Sequence, residues 1–181
     1  YSSVLRIAKK VTETALQTEK LPFLQTVGKA CVYGFYTPVG RSLQTTLALT
    51  MGQLLAANKR VLYLNFECCA GLTEMLGKQA DNTEFASLLY YLQESKEQFL
   101  GRLYQAAECI NGMDFILPAS CGYDLYGIAR EEWRRLLDLL DDGQYDVILL
   151  DLSDGVQGLF DVLRRCTRIY TIVREDGFAA A

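Results

Sequence analysis

The sequence predicts an α/β fold, a mostly parallel β-sheet with helices on both faces in three layers, α/β/α. Three observations lead there. Short apolar runs of strand length alternate with amphipathic stretches of helix length across residues 30–173. The strongest run, Val147-Ile148-Leu149-Leu150, is apolar without alternation, as a strand must be when both its faces are covered. Helices between consecutive strands supply the crossovers that parallel neighbours require.

Residues 1–27 carry a helical period (Val4, Ile7, Ala8, Val11, Ala15, Leu16) broken at Pro22, and are expected to form a leader or linker helix. One domain is expected over 28–181. Its first strand is expected at 30–36 and its first helix at 45–58. A second strand at 60–67 follows the turn residues Asn58-Lys59. Residues 71–78 read as a short helix, 84–93 and 96–110 as amphipathic helices, and 113–117 as a short strand stopped by Pro118. A helix at 130–141 closes at Asp142-Gly143. A strand at 147–152, a helix at 156–165 and a last strand at 169–173 complete the series.

The chain has 181 residues, half of them apolar, which suffices for one sizeable core. A net charge of −4 argues against a nucleic-acid surface. Nothing resembles a run of about 18 apolar residues, so membrane contact is expected only through partners. The lack of histidine removes His-based triads and most zinc sites. Six cysteines (Cys31, Cys68, Cys69, Cys109, Cys121, Cys166) without paired spacing read as reduced, buried thiols of a cytoplasmic protein. A start at Tyr1 and an end at Ala179-Ala180-Ala181 read as part of a longer protein.

Ligands of α/β sheets bind at the carboxyl ends of strands, and three such ends carry polar chemistry. After the first strand comes Thr37-Pro38-Val39-Gly40-Arg41-Ser42-Leu43-Gln44-Thr45-Thr46, a short polar loop opening a helix with two threonines. That layout aims backbone N–H groups and the positive end of a helix at an anion, as a phosphate-binding loop does. After the second strand comes Asn65-Phe66-Glu67. After the strand at 147–152 comes Asp151-Leu152-Ser153-Asp154-Gly155. Asp151 suits a Mg²⁺-water ligand beside such a loop, and reads equally as a turn or cap residue.

Together the three segments resemble the MinD/ParA group of deviant P-loop ATPases, whose loop reads K-G-G-x-G-K-[ST]-[ST]. With Thr45 and Thr46 as anchors, the family's intermonomer lysine falls on Val39 and its phosphate lysine on Gln44. The loop glycines fall on Gly40, Arg41 and Leu43, so only Gly40 remains. Lys59-Arg60-Val61-Leu62-Tyr63-Leu64-Asn65-Phe66-Glu67 is similar to the family's second motif, with Asn65 and Glu67 at its two aspartate positions. Residues 145–151 with Gly155 resemble the Walker B segment. The resemblance covers roughly 28–176 and implies an ATP site lined by Val39, Gly40, Arg41, Ser42, Leu43, Gln44, Thr45, Thr46 and Gly155. It implies Mg²⁺ on Thr45 and Asp151, and Glu67 and Asp151 as the catalytic candidates.

Within that group the chain is similar to the CpaE/TadZ proteins of pilus systems, in which a receiver-like domain often precedes the ATPase core. Gly122-Tyr123-Asp124-Leu125 before Glu131-Glu132-Trp133 fits that layout. The resemblance therefore implies a localisation and assembly scaffold for a pilus or secretion machine, placed at a cell pole and engaging protein partners. With both lysine positions neutral, slow or no ATP hydrolysis is expected. One alternative is a working ATPase using Arg41 or a partner's residue in place of the lysine. Another is a nucleotide-free interaction module. Arg164, Arg165, Arg168 and Arg174 stand among Asp161, Glu175 and Asp176 and read as a mixed surface. Phe85, Tyr90, Tyr91, Phe99 and Tyr104 fall at helical spacing, as core or as the interface of a helix-mediated homodimer.

Overall fold

The apolar run of residues 147–150 lies at the centre of a six-stranded sheet, where side chains above and below it are equally dry. The computed structural model describes residues 29–40, 42–67, 72, 83–117, 125–141 and 145–173. In chain order these give β1 (Cys31–Tyr36), α1 (Gln44–Ala56), β2 (Val61–Phe66), α2 (Thr83–Tyr90), a 3₁₀ turn (Tyr91–Gln93) and α3 (Lys96–Ala106). There follow β3 (Glu108–Ile110), β4 (Met113–Ile116), α4 (Arg130–Leu140), β5 (Val147–Leu152), α5 (Leu159–Arg165) and β6 (Arg168–Thr171).

The strand order is β3-β4-β2-β5-β1-β6. All pairs are parallel except β3–β4. β5 lies between β1 and β2, in a register that sets Cys31 and Val61 both beside Val147. Every residue of β2 and β5 is buried, which is why their sequences lack polar alternation.

Strand parity divides the interior into two layers. Leu62, Leu64, Phe66, Ile148, Leu150 and Leu152 face the larger cluster, closed by residues of α2, α3, α4 and α5. Val61, Tyr63, Val147 and Leu149 face a smaller cluster beneath α1, with Ala48 and Met51. The heart of the larger layer is Trp133, whose ring meets Phe66 edge-on at 4.7 Å. Its helix α4 buries Trp133, Leu136, Leu137 and Leu140, the i, i+3, i+4, i+7 stripe of an amphipathic helix. At the start of α3, Ser95 and Gln98 form a reciprocal capping box.

Three expectations need correction. The helix expected over 96–110 ends at Ala106, and Glu108–Ile110 turns back as an edge strand antiparallel to β4. The cause is Asn111-Gly112, both with positive φ (51° and 82°), the dipeptide that tight hairpins favour. The helix expected from 156 starts at Leu159, because Gly158 takes a left-handed conformation ahead of it. Of the described cysteines, Cys31 and Cys166 are half-buried and Cys109 is exposed on the edge strand, so none is a fully buried thiol. Other boundaries shift by a residue or two at frayed ends. The leader at 1–27, all of the 71–78 helix except the helical Leu72, and Gly122-Tyr123-Asp124 lie outside the described residues.

Trp133→Ala removes the largest fully buried side chain and is expected to cost about 3–5 kcal/mol of stability. Urea unfolding followed by far-UV circular dichroism measures this, since the substitution removes the chain's one tryptophan.

Candidate functional site

The carboxyl ends of β1, β2 and β5 meet at one carboxylate. Register sets Asp151 beside Phe35 on one side and Asn65 on the other, and Asp151 is wholly buried. Parity aims it, with Tyr63 and Asn65, at the layer under α1, where the first helical residue is Gln44.

These four side chains bond to one another. The Gln44 amide donates from Nε2 to Asp151 Oδ1 at 2.5 Å and to the Leu152 carbonyl at 2.9 Å. The Tyr63 hydroxyl donates to Asp151 Oδ2 at 2.7 Å. Asn65 Nδ2 donates to the Tyr63 oxygen at 2.9 Å and to Asp151 Oδ2 at 3.2 Å. The other end of the Asn65 amide accepts the Glu67 backbone N–H at 2.9 Å. Thr45 adds its hydroxyl beside both Asp151 and Glu67. Both oxygens of Asp151 are thus taken by protein donors.

Burial raises the Asp151 pKa, while the bonds from Gln44, Tyr63 and Thr45 pull it back. Half-buried Glu67 is likewise raised, by burial and then by the nearby Asp151 charge, against a lowering bond to Thr45. The Tyr63 phenol is pushed well up by burial and by the Asp151 charge.

The loop around this network has lost glycines but kept a left-handed turn. Leu43, on the last loop-glycine position, sits at φ 64°, ψ 23° as the residue before α1. That conformation costs a side-chain-bearing residue about 1–2 kcal/mol. Its side chain is 56% exposed, so burial does not offset the strain. At Gly40 a Cβ would meet nothing within 4 Å, so the retained glycine is not a point of close approach. No side chain caps α1, and the Ser42 hydroxyl is buried without a protein partner. Val39 is half-buried, its N–H bonded to the Thr37 hydroxyl at 3.1 Å, and Thr46 is exposed. Arg41 lies outside the described residues.

Beyond Asp151, the Ser153 hydroxyl donates to the Phe66 carbonyl at 2.7 Å, and Gly155 is buried next to it with its N–H 3.4 Å from that hydroxyl. Tyr36, at the end of β1, donates to Asp154 Oδ1 at 2.7 Å and straps this loop to the first strand.

Solved structures share this fold. A ParA family ATPase from Chlorobium tepidum superposes with a TM-score of 0.64 at 16% identity, over 82% of this chain and 62% of that one. The chain has the ParA/MinD-like fold. A putative plasmid partition protein from Borrelia burgdorferi bound to AMPPNP matches at TM-score 0.61 and 18% identity, over 84% of this chain and 64% of that one. The kinase domain of the Escherichia coli tyrosine kinase ETK matches at 0.62 and 15%, over 91% and 62%. The chain therefore spans about three-fifths of the length of these ParA/MinD-like neighbours. No family model and no curated protein sequence matches it.

In this fold the residues present are a poor match to a magnesium nucleotide. The lysine position holds a neutral Gln44, 4% exposed and turned inward on Asp151. At the acidic position each oxygen already accepts from a protein donor, and the described residues hold no group of three or more His, Cys, Asp or Glu fit to bind a metal. The start of α1 keeps backbone N–H groups for an anion. Gln44 and Tyr63 would have to swing away before Asp151 could serve a cation.

Sequence reasoning missed Tyr63 and Tyr36. Tyr63 was legible by parity, since it lies two residues before Asn65 on one face of a strand. Nothing in the sequence pairs Tyr36 with Asp154.

Tyr63→Phe leaves Asp151 one donor short in a dry site and is expected to cost about 1–3 kcal/mol, measured by denaturant unfolding. A carboxylate whose native pKa is raised binds its proton more tightly folded than unfolded. Asp151 and Glu67 therefore each add stability as pH falls, and that contribution is lost as pH rises through the native pKa. Carbon-13 NMR titration of the two carboxyls checks this, with midpoints expected above the ordinary Asp and Glu values.

Proposed function

We propose that this ParA/MinD-like unit is a scaffold rather than a motor, a localisation and assembly module that turns over ATP slowly or not at all. The observation that carries the reading is the sealed Asp151, both oxygens held by Gln44, Tyr63 and Asn65 in a site without water access. Phosphoryl transfer needs positive charge on the transferred group and a metal held by that acidic position. Here the lysine position carries a neutral amide and the acid is engaged in internal bonds. Loss of one transition-state donor alone commonly costs about 10²–10³ in rate.

The similarity of the layout, a linker-like helix before Cys31 and Gly122-Tyr123-Asp124-Leu125 before Glu131-Glu132-Trp133, to the CpaE/TadZ group supports a pilus or secretion machine as the assembly in question, with protein partners and polar placement. No described helix is long and apolar enough to cross a membrane.

Phosphate release with Mg·ATP is expected at least 100-fold slower than from an intact ParA/MinD-like ATPase measured alongside. Turnover at the intact rate would sink the scaffold reading. If Arg41→Ala then removed that turnover, the arginine would be acting for the missing lysine. Calorimetry at millimolar Mg·ATP separates a retained structural nucleotide, which gives heat, from a vestigial loop, which gives none.

A further inference from the structure

On the outer side of α4 and α5, three arginines gather over one carboxylate. Arg130 and Arg134, one turn apart on α4, and Arg164 of α5 all reach Asp161. Arg164 lies 3.2 Å from Oδ1 and Arg134 4.0 Å from Oδ2, while Arg130 Nε meets Oδ2 directly. The acid is underneath: its side chain is 17% exposed, against 52%, 54% and 77% for Arg130, Arg134 and Arg164. A molecule approaching this surface therefore meets guanidinium first. Gly158 makes room for the arrangement, since a Cβ there would come within 2.9 Å of Arg130 Cγ, on the stem that crosses to Asp161. One turn before Arg164, on the same face of α5, stands Phe160. At 72% it is the most exposed large apolar side chain among the described residues.

We propose that this surface docks an acidic segment of a partner protein, its carboxylates on the three guanidiniums and a neighbouring apolar side chain on Phe160. Charge selects the occupant. Three arginines against one carboxylate leave +2 on the group, in a protein whose net charge is −4. The acids close by do not cancel it. Asp138 is bonded by Arg165 at 2.6 Å, and Glu132 accepts the Ala129 N–H at 2.8 Å. Glu131 acts on Arg130 only from the adjacent helical position, and adjacent positions do not face each other. A guanidinium carries about five N–H donors and a carboxylate about four acceptor sites, so one acid under three arginines leaves most donors turned outward.

A short segment suits this patch better than an extended polyanion does. Nucleic acid or an anionic membrane would also lie against the acidic remainder of the chain, while a few residues of peptide stay within about 8 Å of the arginines, one screening length. The planar forks of arginine match carboxylates two bonds at a time. Phe160 adds a demand for an apolar side chain beside the acids, which a phosphate backbone does not present. Exposed pairs of this kind contribute little to stability, so little is lost when the guanidiniums turn from Asp161 to an incoming acid. The surface stands on its own, whatever the loop after β1 does with nucleotide.

Titration of the nitrogen-15-labelled full chain with a short synthetic peptide, one leucine flanked by glutamates, tests the proposal through the arginine Nε–H signals in NMR spectra. A dissociation constant of about 0.1 mM is expected at low salt, weakening about tenfold as salt is raised to about 0.3 M. Arg134→Glu and Arg164→Glu are each expected to weaken binding at least about tenfold, and Phe160→Ser about fivefold, with the far-UV spectrum unchanged. Asp161→Asn removes the acid that competes for the same donors and is expected to tighten binding about threefold. Glu97→Gln, an equal change of charge at an exposed position of α3, is expected to leave it unchanged. No binding at about 1 mM peptide overturns the proposal, as does an affinity indifferent to the arginine variants or an Asp161→Asn that fails to tighten it. A single-stranded oligodeoxynucleotide or a phosphatidylserine vesicle bound more tightly than the peptide overturns it in favour of that polyanion. Should Arg164→Glu fail to fold, Arg134→Glu decides alone.

Discussion

A carboxylate with no water around it sets terms for everything near it. Asp151 closes β5 with β1 on one side, β2 on the other and the first turn of α1 above. Leaving such a group uncompensated costs several kcal/mol. β2 and α1 therefore contribute donors, and each contribution constrains its own element. Gln44 must stay inward, which fixes the start of α1. Asn65 must lie beside Asp151, which fixes the register of β2 against β5. The amide at position 44 satisfies one oxygen and the Leu152 carbonyl together, while its own Oε1 is buried without a partner among the described residues.

The surface carboxylate Asp161 makes a useful contrast. Arg130, Arg134 and Arg164 all gather on it, at the outer side of α4 and α5. The arginines are more than half exposed, so these pairs add little to stability and serve mainly to orient two helices. The buried Asp151 has only neutral partners and far more at stake. Packing repeats the pattern: Gly34 keeps β1 close under α5, where a Cβ would come within 2.8 Å of Cys166 Sγ.

Much of this was legible in the sequence. Dry central strands, helices between them and Asp151 at a strand end follow from apolar runs and their boundaries alone. Residues that face one another across a sheet did not, because pairing is set by strand order. Gln44 read as a lost lysine; only the structure shows where its amide went. The β3–β4 hairpin was within reach, since Asn111-Gly112 is a strong turn signal, but the helical period of the preceding residues hid it. Leu43 could not be foreseen in a left-handed turn, because local preference argues against leucine there and the surrounding loop overrides it.

The hairpin also makes the two margins of the sheet unlike. On one side β3 is only three residues long, twisted back on β4 and carrying Glu108, a poor template for a further strand. On the other side β6 has, among the described residues, no neighbour beyond it, and Ile169 and Val173 stand open to solvent at 49% and 61%. Of the two margins, β6 is the one whose described residues leave an open strand edge beside exposed apolar side chains. A preparation of this unit alone would be stopped at one margin and adhesive at the other, so its solubility depends on how that second margin is covered.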